Sequence, residues 1–179
     1  MINTAKIIED TQSLIRIDSQ NPGIQEAQCS AWVAERFNTL GLKPEVVTVQ
    51  PGRQNLTFTI PGAGKAPRLV LLGHLDTVPI GSGWSFPPLG GEISNGKIYG
   101  RGACDMKGGV AVAIGLFEAM TNLQITPPGD IVFVATVDEE APDMAGAHSL
   151  VASGALRPDD QVLALEPTGT RLRIAQMGL

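Results

Sequence analysis

The chain has few cysteines: Cys29 and Cys104 are the only two among 179 residues. They lie far apart and in no spacing typical of a metal site. This excludes a disulfide framework, and a reducing compartment is the simpler expectation.

Positive charge is also scarce. Lys and Arg number 13 against 18 Asp and Glu, which gives a formal net charge of −5 at pH 7 and a pI near 5.0. An acidic chain is poorly suited to a nucleic-acid backbone, so we expect no nucleic-acid partner.

Long apolar runs are absent from the sequence. The longest weakly polar stretch, 108–119, is too short for a membrane span and contains Glu118. The N-terminus carries Lys6, Glu9 and Asp10 among its apolar residues, so it lacks the apolar centre of a signal peptide. We therefore expect a cytoplasmic protein with no membrane partner.

The remaining composition suits one domain, since 43% of the 179 residues are hydrophobic and no internal repeat is evident. The predicted helices are a first one that begins after Asn3 or Thr4 and ends before residues 21–23, and three more over 25–40, 107–120 and 145–153. Strands are predicted over 45–49, 55–60, 68–73, 130–137, 161–165 and 171–176. Residues 77–99 are predicted to form a long surface loop around a short strand. Strands that alternate with helices indicate an α/β fold. We expect a mixed, mostly parallel sheet flanked by helices.

Acidic residues follow directly after an apolar run at 131–137, where Asp138, Glu139 and Glu140 are consecutive. Such runs are normally buried strands, and ionised acids near a buried edge need a positive partner. Residues 136–156 contain no Lys or Arg. A metal ion would supply the missing charge.

The strand predicted over 68–73 leads into His74 and Asp76. Alternate residues of an extended chain share a face, so both side chains can point the same way. A nearby carboxylate can accept a hydrogen bond from one imidazole nitrogen and leave the other free to bind a cation.

Two further acids fit the same pattern. Glu166 ends the strand predicted over 161–165, and the glycine-rich loop 100–109 presents Asp105. Open α/β sheets build their sites at the carboxyl ends of strands. A plain strand exit is the alternative interpretation of Glu166 and Pro167.

The chain resembles the metal-dependent amidohydrolase family of acetylornithine deacetylase, succinyl-diaminopimelate desuccinylase, aminoacylase and glutamate carboxypeptidase. The strings that carry the resemblance, in order and at compatible spacing, are GHLDTVP at 73–79, YGRGACDMKGG at 99–109 and TVDEE at 136–140. It implies a zinc-peptidase-like three-layer sandwich, with residues 1–179 as the N-terminal part of its metal-binding catalytic domain.

The resemblance also implies a set of metal ligands. His74 and Glu166 would bind one zinc, Glu140 would bind a second, and Asp105 would bridge the two. The complete enzyme would hold two zinc ions, with cobalt as a possible substitute. The peptide bond after Asp105 would be cis.

Two residues acquire catalytic roles from the same resemblance. Asp76 would orient the His74 ring. Glu139 would be the general base, taking a proton from the attacking water and passing it to the departing amine. On one extended segment Glu139 and Glu140 would point to different sides.

The implied reaction is hydrolysis of an amide bond in an N-acyl amino acid by a metal-activated water. The strings NPG at 21–23 and EPT at 166–168 look most like the deacetylase and desuccinylase branch. The alternatives are a metallo-dipeptidase or carboxypeptidase, acting on a small peptide, and a non-catalytic half-molecule that binds metal.

The chain departs from the family in length, because family members are about twice as long and carry a lid domain and a further histidine ligand. We therefore expect a catalytic domain that is incomplete at the C-terminus, with the lid absent. An exposed apolar sheet edge would favour association with another copy, giving a homo-oligomer.

Several polar residues near these strings have plainer interpretations. Asp138 would cap or solvate its turn, Lys107 would be a surface residue at a helix start, and His148 a surface residue within a helix. Arg101 would hold its loop or pair with an acid. The loop 100–109 lacks the spacing of a phosphate loop, so nucleotide binding is not expected.

The departure in length leads to a prediction about metal stoichiometry. His74, Asp105 and Glu166 supply three ligands, enough for a tetrahedral zinc with water, whereas the second ion would have only Asp105 and Glu140. We expect calorimetric titration with Zn²⁺ to give one tight site and one weak or empty site. Two equally tight zinc ions would contradict this expectation.

Overall fold

A computed structural model describes residues 1–23 and 26–174. The helices in these ranges are α1 (Thr4–Arg16), α2 (Glu26–Asn38), α3 (Gly108–Asn122) and α4 (Ala145–Ala152). An irregular turn at Ala103–Lys107, in which Asp105 and Met106 have non-helical backbone angles, lies directly before α3. The strands are β1 (Glu45–Gln50), β2 (Arg53–Ile60), β3 (Leu69–His74), β4 (Glu92–Ser94), β5 (Lys97–Tyr99), β6 (Ile131–Thr136) and β7 (Gln161–Ala164).

The first helix shows how local sequence sets the element boundaries. The Asn3 side chain accepts a hydrogen bond from the Lys6 amide at 3.2 Å and so caps the N-terminus of α1. The helix ends where Ile17 becomes extended. Leu14 and Ile15 lie on its buried face, as helical spacing of the apolar residues predicts.

Five strands form one mixed sheet in the order β1-β2-β6-β3-β7. Strand β3 pairs in parallel with β6 and β7, whereas β2 pairs antiparallel with β6 and β1. It follows that β2 runs opposite to the other four strands. The α/β class and the mixed, mostly parallel sheet predicted from the sequence are confirmed.

Apolar side chains cover both faces of this sheet. On one face the Phe37 ring of α2 stacks on Phe58 of β2 with centroids 3.7 Å apart and meets Phe117 of α3 edge-on at 5.3 Å. Phe133 of β6 joins the same cluster. On the other face Leu150 of α4 packs against the valines that alternate with these residues along β3 and β6. The result is a three-layer arrangement of helices, sheet and helix.

The structure differs from the predicted elements in two places. The long loop over 77–99 contains the hairpin β4–β5 rather than a single short strand. Of the strand predicted over 171–176, residues 171–174 have no regular secondary structure, and 175–176 lie outside the described residues. Gln25, the predicted start of the second helix, also lies outside them.

The edge strand β7 has all four of its residues exposed. Its side chains include Val162 and Leu163, which leaves apolar surface on this edge. No helix within 1–23 and 26–174 combines the length and the apolar character needed to cross a membrane.

Truncating Phe58 should destabilise the chain strongly, because the fully buried ring lies in the aromatic cluster. We expect Phe58→Ala to lower the free energy of unfolding by about 3–5 kcal/mol, measured by urea denaturation. Phe86→Ala is the matched control, since Phe86 is only half-buried on a loop and contacts Tyr99 alone among the aromatic rings described. Equal losses in the two variants would contradict the assignment of this core.

Candidate metal centre

Three parallel strands bring the predicted site residues to one edge of the sheet. His74 is the last residue of β3 and lies opposite Thr136, the last residue of β6. The acids Asp138 to Glu140 follow β6, and Glu166 follows β7 after Leu165. The turn before α3 delivers Asp105 to the same place.

The side chains form two clusters that share His74. One contains Asp105 and Glu166, the other Glu139 and Glu140, and within each cluster the potential ligand atoms lie within 4.8 Å of one another. His74 Nε2 is 3.0 Å from Asp105 Oδ1, 3.7 Å from Glu166 Oε1 and 3.8 Å from Glu139 Oε2. Asp105, predicted to bridge two ions, belongs only to the first cluster, and Glu139 faces His74 together with Glu140.

Contacts of the ring nitrogen Nδ1 with Asp76 orient the His74 side chain. Its Nδ1 lies 3.0 Å from the backbone carbonyl oxygen of Asp76 and 3.5 Å from Asp76 Oδ1. The nearer acceptor is therefore the carbonyl and not the carboxylate that the sequence suggested. When the ring is neutral and its proton is on Nδ1, the free Nε2 faces the acids. The His74 amide donates to Met106 Sδ at 3.2 Å.

The Asp76 carboxylate holds the acidic segment after β6. It accepts the backbone N–H of Glu139 on Oδ1 at 3.1 Å and that of Glu140 on Oδ2 at 2.9 Å. Asn21 Nδ2 adds a third hydrogen bond at 2.8 Å. Complete burial opposes the charged form, but the neighbouring His74 ring and the hydrogen bonds from Asn21 and the two amides lower the pKa of Asp76 to about 2. Nothing in the sequence pattern indicated this anchoring role.

Asp138 is separated from its two neighbours by a different environment. It is buried, accepts the Ala145 N–H at 3.2 Å at the start of α4, and pairs with Arg53 Nη1 at 2.7 Å. The predicted capping role is therefore present, but the alternative prediction, that solvent surrounds this side chain, is wrong. Arg53 of β2 supplies the positive charge that the local sequence lacks, so Asp138 needs no metal.

The other acids are crowded and lack such a partner. Within the described ranges, no Lys or Arg pairs with Asp105, Glu139, Glu140 or Glu166. Burial and the neighbouring charges of Asp105 and Glu139 raise the pKa of Glu166 to about 6, against the opposing effect of His74. Burial, with the charge of Asp105, also raises the pKa of Glu140. An imidazole nitrogen beside several carboxylates that have no Lys or Arg partner among the described residues is a donor set that fits a divalent transition metal.

The segment around Asp105 is held by a buried lysine. The peptide bond between Asp105 and Met106 is cis, as the resemblance implied. Lys107, predicted to lie on the surface, is buried, and its Nζ donates to the carbonyl oxygens of Leu14 at 2.9 Å and Ile17 at 2.7 Å. The surface prediction is wrong because the carbonyls at the end of α1 provide acceptors for this ammonium.

The remaining candidates lie outside the clusters. His148 is exposed on α4, as predicted. Arg101 donates to the Ile80 carbonyl at 3.1 Å, and its guanidinium carbon lies 5.2 Å from the Trp84 ring centroid. Trp84 Nε1 donates to the same carbonyl at 2.8 Å. Arg101 thus holds its loop, the first of its two predicted roles.

The family of the chain follows from comparison with known proteins. Residues 70–177 match the model of peptidase family M20/M25/M40. The chain belongs to this family. A probable succinyl-diaminopimelate desuccinylase of Staphylococcus aureus strain Mu50 is 34% identical to the chain over 165 residues. The matched region covers 90% of this chain and 40% of the desuccinylase. The family predicted from the three sequence strings is confirmed.

Solved structures of other proteins share the fold of this M20/M25/M40 member. A tripeptidase from Staphylococcus aureus is 28% identical, with a TM-score of 0.71. The match covers 93% of this chain and 44% of the tripeptidase chain. Human carnosine dipeptidase 1 is 23% identical, with a TM-score of 0.74. The match covers 89% of this chain and 38% of the dipeptidase chain. The chain thus spans less than half the length of the relatives it matches.

Protons should compete with a metal ion at this centre. Burial disfavours the imidazolium, but the hydrogen bond and charge of Asp76, with the charges of Glu139 and Glu166, raise the pKa of His74 to about 9. Below that pH a cation must displace the His74 proton, and below about pH 6 it must also displace one from Glu166. We expect the apparent affinity for Co²⁺ to rise about tenfold per pH unit between pH 6 and 8 and more steeply below pH 6.

Competition titrations against a chelator of known proton affinity would measure this dependence. Protonated His74 would be the main source of the proton released above pH 6. An affinity that stays flat between pH 6 and 8 would contradict the binding of the cation at His74.

Proposed function

We propose that residues 1–179 are the N-terminal part of the metal-binding catalytic domain of a hydrolase, which removes the acyl group from an N-acyl amino acid in the manner of deacetylases and desuccinylases. The observation that carries the proposal is the position of His74 Nε2, which faces three carboxylates at 3.0–3.8 Å. The proposed setting is the cytoplasm, in keeping with the two unpaired cysteines.

Zinc is the proposed metal, with two ions in the complete enzyme and cobalt as a substitute. His74, Asp105 and Glu166 would hold the first ion, and Asp105 with Glu140 would contribute to the second. When bound, the ions would polarise the scissile carbonyl and lower the pKa of a water molecule. The convergence of these acids on one oriented imidazole, with no Lys or Arg partner within 1–23 and 26–174, supports this assignment.

Glu139 is proposed as the general base. Its backbone is fixed by Asp76, while 35% of its side chain is exposed, so its carboxylate is accessible to water and substrate. It would take a proton from the attacking water as the new carbon–oxygen bond forms. It would then give that proton to the amine nitrogen as the carbon–nitrogen bond breaks, leaving a free carboxylate and an amino acid.

The substrate class is proposed from the relative that is 34% identical and is named a probable succinyl-diaminopimelate desuccinylase. Peptide hydrolysis is the second candidate, because a solved tripeptidase is 28% identical and shares the fold. An assay panel of N-acetyl and N-succinyl amino acids beside di- and tripeptides separates the two candidates.

Self-association is proposed through the exposed edge of the sheet. Strand β7 presents Val162 and Leu163 with 49% and 38% of their surfaces exposed. An unpaired strand edge with apolar side chains is a surface that favours pairing with another chain.

Replacing the proposed base should separate chemistry from metal binding. We expect Glu139→Gln to lower kcat at least about 100-fold, because the amide cannot take the proton from water. Metal content, measured by elemental analysis, should stay unchanged, since the ligands His74, Asp105 and Glu166 are untouched.

Glu35→Gln provides the matched control, as it makes the same chemical change at an exposed position of α2. Its kcat should equal that of the unmodified chain. If Glu139→Gln retains full activity on every substrate of the panel, Glu139 is not the base. If it loses its metal, Glu139 is instead a ligand.

A further inference from the structure

A buried polar network lies behind the metal centre and includes residues far from it in sequence. Its members are Asn21, Glu26, Arg53, Asp76 and Asp138, each no more than 5% exposed. Buried ionised groups persist only when each has partners of opposite charge or good hydrogen bonds. The connections within this network therefore determine where Asp76 lies.

Asn21 joins two carboxylates through one nitrogen. Its Nδ2 donates to Asp76 Oδ2 at 2.8 Å and to Asp138 Oδ1 at 2.9 Å. Ionised carboxylates only accept hydrogen bonds, so the NH₂ group must be the part of the amide that faces them. The two protons of this one group keep two like charges at a fixed separation.

The backbone of Asn21 is tied to the strand that carries Asp76. Its amide donates to the Thr77 carbonyl at 2.7 Å, and the Thr77 amide donates to the Ser19 carbonyl at 3.0 Å. The segment from Ser19 to Asn21 thus extends beside the residues that follow β3. Asn21 is fixed both at its backbone and at its side chain.

Arg53 balances the far end of the network. Its guanidinium donates to Asp138 Oδ1 at 2.7 Å and also pairs with Glu26. The Asp138 amide lies 3.4 Å from the same Glu26 Oε1. Arg53 therefore holds Asp138 in place, and Asn21 transmits that position to Asp76.

We propose that Asn21 is a positioning residue of the metal centre, acting through Asp76 on Glu139 and Glu140. The inference builds on the proposed metal-dependent function. Without the amide bridge, Asp76 loses one of its hydrogen bonds and faces the Asp138 charge directly. Since Asp76 holds the backbone of Glu139 and Glu140, any shift of its carboxylate moves both acids relative to His74.

A pair of variants distinguishes this role from a purely structural one. Asn55 is also a buried asparagine, 2% exposed, that makes two hydrogen bonds to the chain around Asp138. It accepts from the Val137 amide at 3.1 Å and donates to the Gly146 carbonyl at 2.8 Å. The Asn55 side chain bonds to backbone groups, whereas the Asn21 side chain bonds to carboxylates. Asn55→Ala is therefore the matched control for Asn21→Ala.

The two variants and the unmodified full chain are titrated with Co²⁺, and the visible absorption of the bound ion is recorded. We expect Asn21→Ala to bind Co²⁺ at least about tenfold more weakly and with an altered spectrum, as is usual when a residue that orients ligands is removed. Asn55→Ala should keep the spectrum and stay within about threefold of the unmodified affinity. Equal changes in both variants, or no change in Asn21→Ala, would overturn the proposal.

Circular dichroism checks that each variant folds. If Asn21→Ala does not fold, the side-chain amide protons of Asn21 in the unmodified chain provide the test by nuclear magnetic resonance. We expect both protons to exchange slowly with solvent, because each is buried in a hydrogen bond, and rapid exchange would overturn the proposal. Failure of the unmodified chain to bind Co²⁺ would refute the metal-dependent function, whereas the exchange measurement tests the Asn21 bridge separately.

Discussion

The geometry of the candidate metal centre depends on one buried carboxylate, that of Asp76. A charge removed from water needs several donors, and those nearest are the backbone amides of Glu139 and Glu140 and the side chain of Asn21. Because these amides bond to Asp76, the segment after β6 lies at the end of β3, beside His74. The interaction that satisfies the buried charge therefore also aims the two glutamates at the imidazole.

The price of that arrangement is repulsion among the acids. Asp105, Glu139, Glu140 and Glu166 converge without a Lys or Arg partner in the described parts of the chain, and the pKa of Glu166 is raised to about 6 by burial and these neighbouring charges. Solvent access reduces the repulsion, since 51% of the Asp105 side chain is exposed. A divalent cation bound among these acids would replace their mutual repulsion with attraction to the ion. Because such an ion binds the folded arrangement, it would also stabilise the fold by mass action.

The sequence predicted the parts of the site that depend on local pattern. Apolar runs located the strands, and residues at their ends, His74 and Glu166 among them, met at one edge because parallel strands end together. The antiparallel direction of β2 and the partners of the buried charges were not predictable in this way. Arg53 and Asp138 are 85 positions apart, and no periodicity relates them. Lys107 looked like a surface residue because its acceptors, the carbonyls at the end of α1, come from a distant part of the chain.

The string Asp138-Glu139-Glu140 shows how three consecutive acids acquire separate functions from backbone geometry. Asp138 has a φ of +62°, a conformation that Asp tolerates better than most residues. This conformation turns the chain at the end of β6, so the Asp138 side chain enters the buried pocket of Arg53 while the next two amides reach Asp76. The side chains of Glu139 and Glu140 are then left facing His74. Composition alone would treat the three residues as equivalent, but the turn makes the first a structural anchor and leaves the other two available for chemistry.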